Sequence, residues 1–176
     1  MKKIIVTGGS GFIGANLCLE LLEKGAHVSI LDPLNIGNGS LKTGQSKNLS
    51  YTRGSILDYD LLLSHLKDVD FVFHLAAQTS VPKSVEDPLF SHKINTLGTL
   101  NVLEASRISK VKKVIFSSSC AVYGNSSSNK QSEKDIPLPV SPYSIQKLTG
   151  EYYCKLYNDV FGLPTVSLRY FNVAGC

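Results

Sequence analysis

Tyr143 and Lys147 stand four residues apart in a stretch that opens with Ser141-Pro142 and has the pattern of a long helix. At that spacing their side chains share one helical face and reach the same space. A tyrosine of pKa about 10 is only ~0.1% ionised at pH 7, and lowering that pKa by ~3 takes roughly 4 kcal/mol of preferential stabilisation of the phenolate. A lysine ammonium one turn away and a second positive charge nearby are suited to supply it, which makes the pair an acid/base candidate. Tyr-x-x-x-Lys alone is common and describes a solvated surface pair equally well. What sets this pair apart is Ser117-Ser118-Ser119, which closes the apolar run Lys113-Val114-Ile115-Phe116 just before that helix.

A second group of residues has the makings of an anion site. Ile4-Ile5-Val6 reads as a strand, Thr7-Gly8-Gly9-Ser10-Gly11-Phe12-Ile13-Gly14 as a turn, and Asn16 to Lys24 as a helix. Gly8 allows the tight turn, Gly11 removes a side chain where backbone must approach a pyrophosphate, and Gly14 lets the helix pack closely on a sheet. The first N–H groups of that helix have no partner inside it, and the positive end of its macrodipole lies behind them. Asp32 closes the next strand, Val28-Ser29-Ile30-Leu31. It stands where a dinucleotide-binding unit places the acid that accepts hydrogen bonds from the adenosine ribose. Each feature has a bland alternative, a turn before a helix or an aspartate opening a loop before Pro33. In this order they point to a dinucleotide, and to NAD over NADP, because Asp32 meets a 2′-phosphate with like charge.

The elements that must position these residues alternate between strand and helix, the pattern of a parallel sheet covered by helices. Ile13, Leu17, Cys18, Leu21 and Leu22 give the first helix an apolar stripe, and Gly25 ends it. Residues 35–48 read as a surface loop before a short strand near 49–52. Then come a helix over 58–66, a strand over 69–74, one long helix over 87–109 with Asp87 as N-cap and Pro88 first, a strand over 113–116, a helix over 141–162 and a strand over 165–169. Six parallel strands so connected imply an α/β doubly wound Rossmann fold of order 3-2-1-4-5-6, with residues 1–176 as one dinucleotide-binding domain. Its crevice lies at the carboxyl ends of the first and fourth strands.

The G-x-x-G-x-x-G turn, the block Phe116-Ser117-Ser118-Ser119-Cys120-Ala121-Val122-Tyr123-Gly124 and Ser141-Pro142-Tyr143 with Lys147 resemble the extended short-chain dehydrogenase/reductase family, whose members are NAD-dependent nucleotide-sugar epimerases and dehydratases. The resemblance covers residues 2 to 176. It implies Tyr143 as acid/base, Ser119 on the reacting sugar hydroxyl, and Lys147 on the nicotinamide ribose, lowering the tyrosine pKa. It further implies that NAD is lined by Gly8, Gly11, Phe12, Ile13, Gly14, Asp32, Asn35, Ser55, Ile56, Leu75, Ala76, Ala77, Asn95, Tyr143, Lys147 and Tyr170. A nucleotide sugar, UDP-hexose first, would meet Ser80, Ser119, Tyr143 and Asn172. The implied reaction is epimerisation at C4 through a 4-keto sugar. A dehydratase or reductase on the same scaffold and an NAD-binding fragment without turnover remain alternatives. Family dehydratases carry Asp-Glu after the catalytic hydroxyl residue, where this chain has Cys120-Ala121. Ser55 stands where the family has aspartate against the adenine amine, and Pro33 replaces a frequent asparagine.

Family members continue well beyond the position of Cys176, so the substrate domain is expected to be largely absent and the 176-residue chain to bind NAD but epimerise feebly. The helices over 87–109 and 141–162 correspond to the family's dimer bundle, and a homodimer is expected through Leu89, Phe90, Ile94, Leu97, Leu100 and Leu103 with Leu148, Tyr152, Tyr153, Leu156 and Tyr157. Composition excludes several other classes. With 43% hydrophobic residues and a net charge of +4, the chain suits one globular domain and shows no basic groove for nucleic acid. No apolar run reaches membrane-spanning length or resembles a signal-peptide core, so a cytoplasmic protein is expected. The four cysteines lack Cys-x-x-Cys spacing, which favours free thiols over disulfides or a metal site.

Overall fold

A computed structural model describes residues 1–34, 46–125 and 130–175. Its six-stranded sheet has the order β3-β2-β1-β4-β5-β6, with every pair parallel. The strands are β1 (Lys3–Thr7), β2 (His27–Asp32), β3 (Leu49–Arg53), β4 (Phe71–His74), β5 (Lys113–Ser119) and β6 (Thr165–Tyr170). The central strands are apolar at successive positions because both faces are covered. On one face, helices α2 (Tyr59–His65), α5 (Gly98–Ile108) and α6 (Pro142–Phe161) build a core with Ile5, Leu31, Val72, Val114 and Phe116. On the other, α1 (Phe12–Glu23) packs Cys18, Leu17, Leu21 and Leu22 against Ile4, Val6, Val28 and Ile30. Ile13, expected in that stripe, instead lines a cavity at the sheet edge.

The helix expected as one piece over 87–109 is three. Asp87 caps α4 (Pro88–His92), accepting the Phe90 N–H at 2.9 Å. A π-helical turn, Lys93–Leu97, then leads into α5. The Thr99 hydroxyl donates to the Asn95 carbonyl at 2.6 Å, a side-chain bond that competes with the backbone ladder and accommodates the extra residue in the turn. Two short elements escape the periodicity argument altogether. They are α3 (Val81–Glu86) and a 3₁₀ turn over Cys120–Tyr123, too short to show an apolar repeat. α6 begins with a capping box, Ser141 Oγ accepting the Ser144 N–H at 3.1 Å and Ser144 Oγ accepting the Ser141 N–H at 2.9 Å. It ends at Gly162, left-handed at φ +68°.

Candidate active site

Gly8 sits at φ +73°, and a Cβ there would lie 2.6 Å from the Ala76 nitrogen. The left-handed turn and the approach of the loop after β4 both demand glycine. A Cβ on Gly14 would lie 2.4 Å from the Gly8 oxygen, so it is the turn folded back on α1, rather than the sheet, that excludes a side chain there. A Cβ on Gly11 would meet only the Gly8 oxygen, at an ordinary van der Waals distance of 3.4 Å. It is the N-cap of α1 yet offers no side-chain acceptor, and the first turn holds no acid. By contrast α2, α3, α4 and α6 are capped by Asp58, Ser80, Asp87 and Ser141. The opening N–H groups of α1 are thereby left for a ligand anion.

Beside this turn the buried Asp32 carboxylate is fixed by the Ser10 N–H at 3.0 Å and the Leu34 N–H at 2.9 Å. From here a cavity of about 770 Å³ crosses the ends of β1 and β4 to α6. Its walls include Gly8, Gly11, Phe12, Ile13, Gly14, Asp32, Ser55, Ile56, Leu75, Ala76, Ala77, Ser119, Tyr143, Lys147, Tyr170 and Asn172. All were anticipated from sequence. Leu31, Pro33, Leu34, Thr79, Ile94, Ser117, Ser118, Phe171 and Val173 also line it and were not. The neighbouring anticipated residues, Asp32, Ser119 and Asn172 among them, were the available signal for most of these.

Two anticipated residues lie elsewhere. Ser80 is the N-cap of α3, its hydroxyl accepting the Lys83 N–H at 3.3 Å. Asn95 is 2% exposed and reaches the loop before α3 rather than the cavity, donating to the Gln78 carbonyl at 3.0 Å and accepting the Gln78 N–H at 2.8 Å. Asn35 falls outside the described residues. His74, at the end of β4 just before Leu75, is 1% exposed and bridges Thr7 Oγ1 at 2.8 Å and Thr99 Oγ1 at 3.0 Å. Burial, helped by the charge of Lys147, pushes its pKa down to about 3.

At the far end Tyr143 and Ser119 line the same end of the cavity, and Ser119 Oγ accepts the Ala121 N–H at 3.2 Å. Lys147 is 3% exposed and donates to the Ser117 carbonyl at 2.8 Å, with Nζ 5.0 Å from the Phe116 ring centroid and 5.8 Å from that of Tyr143. The protein's own groups do not lower the Tyr143 pKa as expected from sequence. Burial raises it, and the neighbouring Ser119 side chain offsets this only in part, because the lysine charge is directed to a carbonyl and ring faces rather than to the phenol oxygen. Burial brings Lys147 itself down to about 8. Behind the site, Glu151 accepts from Arg169 Nη2 at 2.8 Å and Ser118 Oγ at 2.5 Å, anchoring β5, β6 and α6 together.

The profile of the NAD dependent epimerase/dehydratase family matches residues 4–176. The chain belongs to this family. A UDP-glucose 4-epimerase of Mycolicibacterium smegmatis is 38% identical over 98% of this chain and 56% of its own length. Among solved structures, a UDP-N-acetylglucosamine 4-epimerase of Methanobrevibacter ruminantium in complex with UDP-N-acetylmuramic acid superposes at TM-score 0.92 with 42% identity, covering 99% of this chain and 56% of that one. A Brucella ovis UDP-glucose 4-epimerase in complex with NAD gives 0.88 at 34% identity, over 98% of this chain and 52% of that one. The chain thus spans about half the length of the curated relatives it matches. Among the described residues of this family member, no helix is long and apolar enough to cross a membrane.

Proposed function

We propose that the crevice binds NAD and carries the acid/base for C4 epimerisation of a nucleotide sugar, with a UDP-hexose as first choice. One observation carries this reading: a single cavity joins the glycine turn and Asp32 to Ser119, Tyr143 and Lys147. The residues fit the cofactor. Side-chain-free turn backbone and the uncapped start of α1 suit its pyrophosphate, Asp32 suits its ribose, and Lys147 suits the second ribose. NAD supplies hydride acceptance and return at the sugar C4.

The chain's own part is proton transfer and positioning. Tyr143 Oη takes the proton of the C4 hydroxyl as that carbon becomes a ketone and gives it back when the opposite epimer forms. Ser119 Oγ holds the same oxygen by a hydrogen bond. Because burial keeps the phenol above its usual pKa, its ionisation would rely chiefly on the positive charge of a bound nicotinamide, with the Lys147 ammonium adding to it from beside the ring. Cys120-Ala121 provides no carboxylate to expel water, which favours epimerisation over dehydration. Purified protein incubated with NAD and UDP-, GDP- and dTDP-hexoses should yield C4 epimers. Accumulation of a stable 4-keto-6-deoxy sugar would overturn this in favour of a dehydratase. NAD binding without turnover by this chain is the second reading, since the chain spans about half the length of the curated relatives it matches.

We also propose a homodimer through α4 and α6. Leu89, Phe90, Leu97, Tyr152 and Leu156 are exposed, whereas Leu103 and Tyr157, expected on the same surface, belong to the core. Light scattering at tens of micromolar should give a dimeric mass, and a monomer counts against it.

A further inference from the structure

Gln146 lies between Tyr143 and Lys147 on α6, yet it does not line the crevice. It is 3% exposed, and its Oε1 accepts two bonds, from Ser91 Oγ at 2.7 Å and from Asn95 Nδ2 at 2.8 Å. The remaining polar capacity of Asn95 grips both peptide groups of Gln78, much as a neighbouring strand would. Flipping the Asn95 amide would set its oxygen against two acceptors, the Gln78 carbonyl and Gln146 Oε1, so its orientation is fixed.

The π-helical turn that presents Asn95 is fixed from below. Thr99 Oγ1 gives its proton to the Asn95 carbonyl and must therefore accept from His74 Nε2–H. His74 Nδ1 is then bare and accepts from the Thr7 hydroxyl. A directional chain of hydrogen bonds thus runs from the end of β1 to the turn that holds Asn95. Gln78 is flanked by Ala77 and Thr79, Gln146 by Lys147, and all three flanking residues line the cavity. The Asn95–Gln146 amide pair is the strut between the two walls.

We propose that Gln146 is a positioning residue that, through Asn95, sets the spacing between the loop around Gln78 and the helix carrying Tyr143 and Lys147. The nicotinamide half of the crevice depends on it and the adenosine-diphosphate half does not. The inference rests on the NAD-binding reading above. The glycine turn and Asp32 make no bond to this pair, so ADP serves as the internal control.

Calorimetric titration of NAD and of ADP into the wild-type chain and Gln146→Leu separates the two halves, and denaturant unfolding monitors the fold. Gln146→Leu should lose about tenfold in NAD affinity, the size of one buried hydrogen bond, with ADP affinity unchanged. Gln146→Glu, which keeps the accepting oxygen, should recover NAD affinity to within about threefold. If Gln146→Leu does not fold, Ser91→Ala removes one of the two donors and should cost about threefold in NAD affinity alone. Equal loss of both ligands, unchanged NAD affinity in a folded Gln146→Leu, or failure of Gln146→Glu to rescue overturns the positioning role. A wild-type chain that binds ADP but not NAD overturns instead the reading of the crevice on which the inference rests.

Discussion

Replacing Lys147 by methionine should stabilise the fold while removing the proposed chemistry. Lys147 is 3% exposed, and among the described residues its ammonium donates to the Ser117 carbonyl. Its pKa falls from the ordinary 10.5 to about 8 through burial. At about 1.36 kcal/mol per pKa step, keeping it charged at pH 7 costs about 3 kcal/mol. Methionine fills similar volume but leaves the Ser117 carbonyl without its donor, a loss of about 1 kcal/mol. The net expectation is a gain of about 2 kcal/mol at pH 7. The pH dependence identifies the cause. Because the folded pKa lies below the unfolded one, the unfolded chain binds the extra proton between pH 8 and 10.5, so wild-type stability climbs relative to the variant across that window by up to about 1.4 kcal/mol per pH step. The advantage of methionine should be complete below pH 8 and nearly gone by about pH 9.5. Guanidinium unfolding of both proteins from pH 7 to 9.5 measures it. A less stable methionine variant at pH 7, or a difference that does not change with pH, would show that burying the Lys147 ammonium does not cost the fold stability.

Tyr143→Phe should leave NAD affinity within about twofold while abolishing any sugar turnover, read by calorimetry and an epimer assay; retained turnover would mean the acid/base lies elsewhere. Gly8→Ala must both hold a positive φ and relieve a 2.6 Å contact with backbone, so thermal unfolding should report a loss of about 2 to 4 kcal/mol, with NAD binding lost as well. Glu151→Ala strands the Arg169 guanidinium in a pair whose side chains are 16% and 12% exposed, and denaturant titration should show about 3 to 5 kcal/mol of destabilisation. NAD should bind at least about tenfold more tightly than NADP, since Asp32 opposes a 2′-phosphate; equal calorimetric affinities would remove the carboxylate from that role.

The strands, the glycine turn, Asp32 and the Tyr143/Lys147 pair could be read from the sequence because each depends on local pattern, whereas the strand order follows from the doubly wound connectivity and the place of Ser119 from the family resemblance. Apolar runs mark strands, glycine marks backbone that cannot bear a side chain, and a four-residue spacing marks a shared helical face. What could not be read depends on partners remote in sequence. The bonds of Asn95 to Gln78 and Gln146 could not be read from sequence, because those partners lie 17 and 51 residues away. The capping of α3 by Ser80 shows only in the fold, where its hydroxyl meets the Lys83 N–H. The break near Lys93 leaves no mark in the apolar pattern, because it arises where the Thr99 hydroxyl takes the Asn95 carbonyl. The Tyr143 pKa differs from expectation for a similar reason, since spacing places Lys147 nearby without fixing where its ammonium points.

The most direct test of the account is a calorimetric titration of NAD into the purified 176-residue chain. One NAD per chain should bind at a micromolar dissociation constant, and Gly8→Ala should abolish it; the absence of saturable binding up to millimolar NAD would mean that the crevice is not a dinucleotide site.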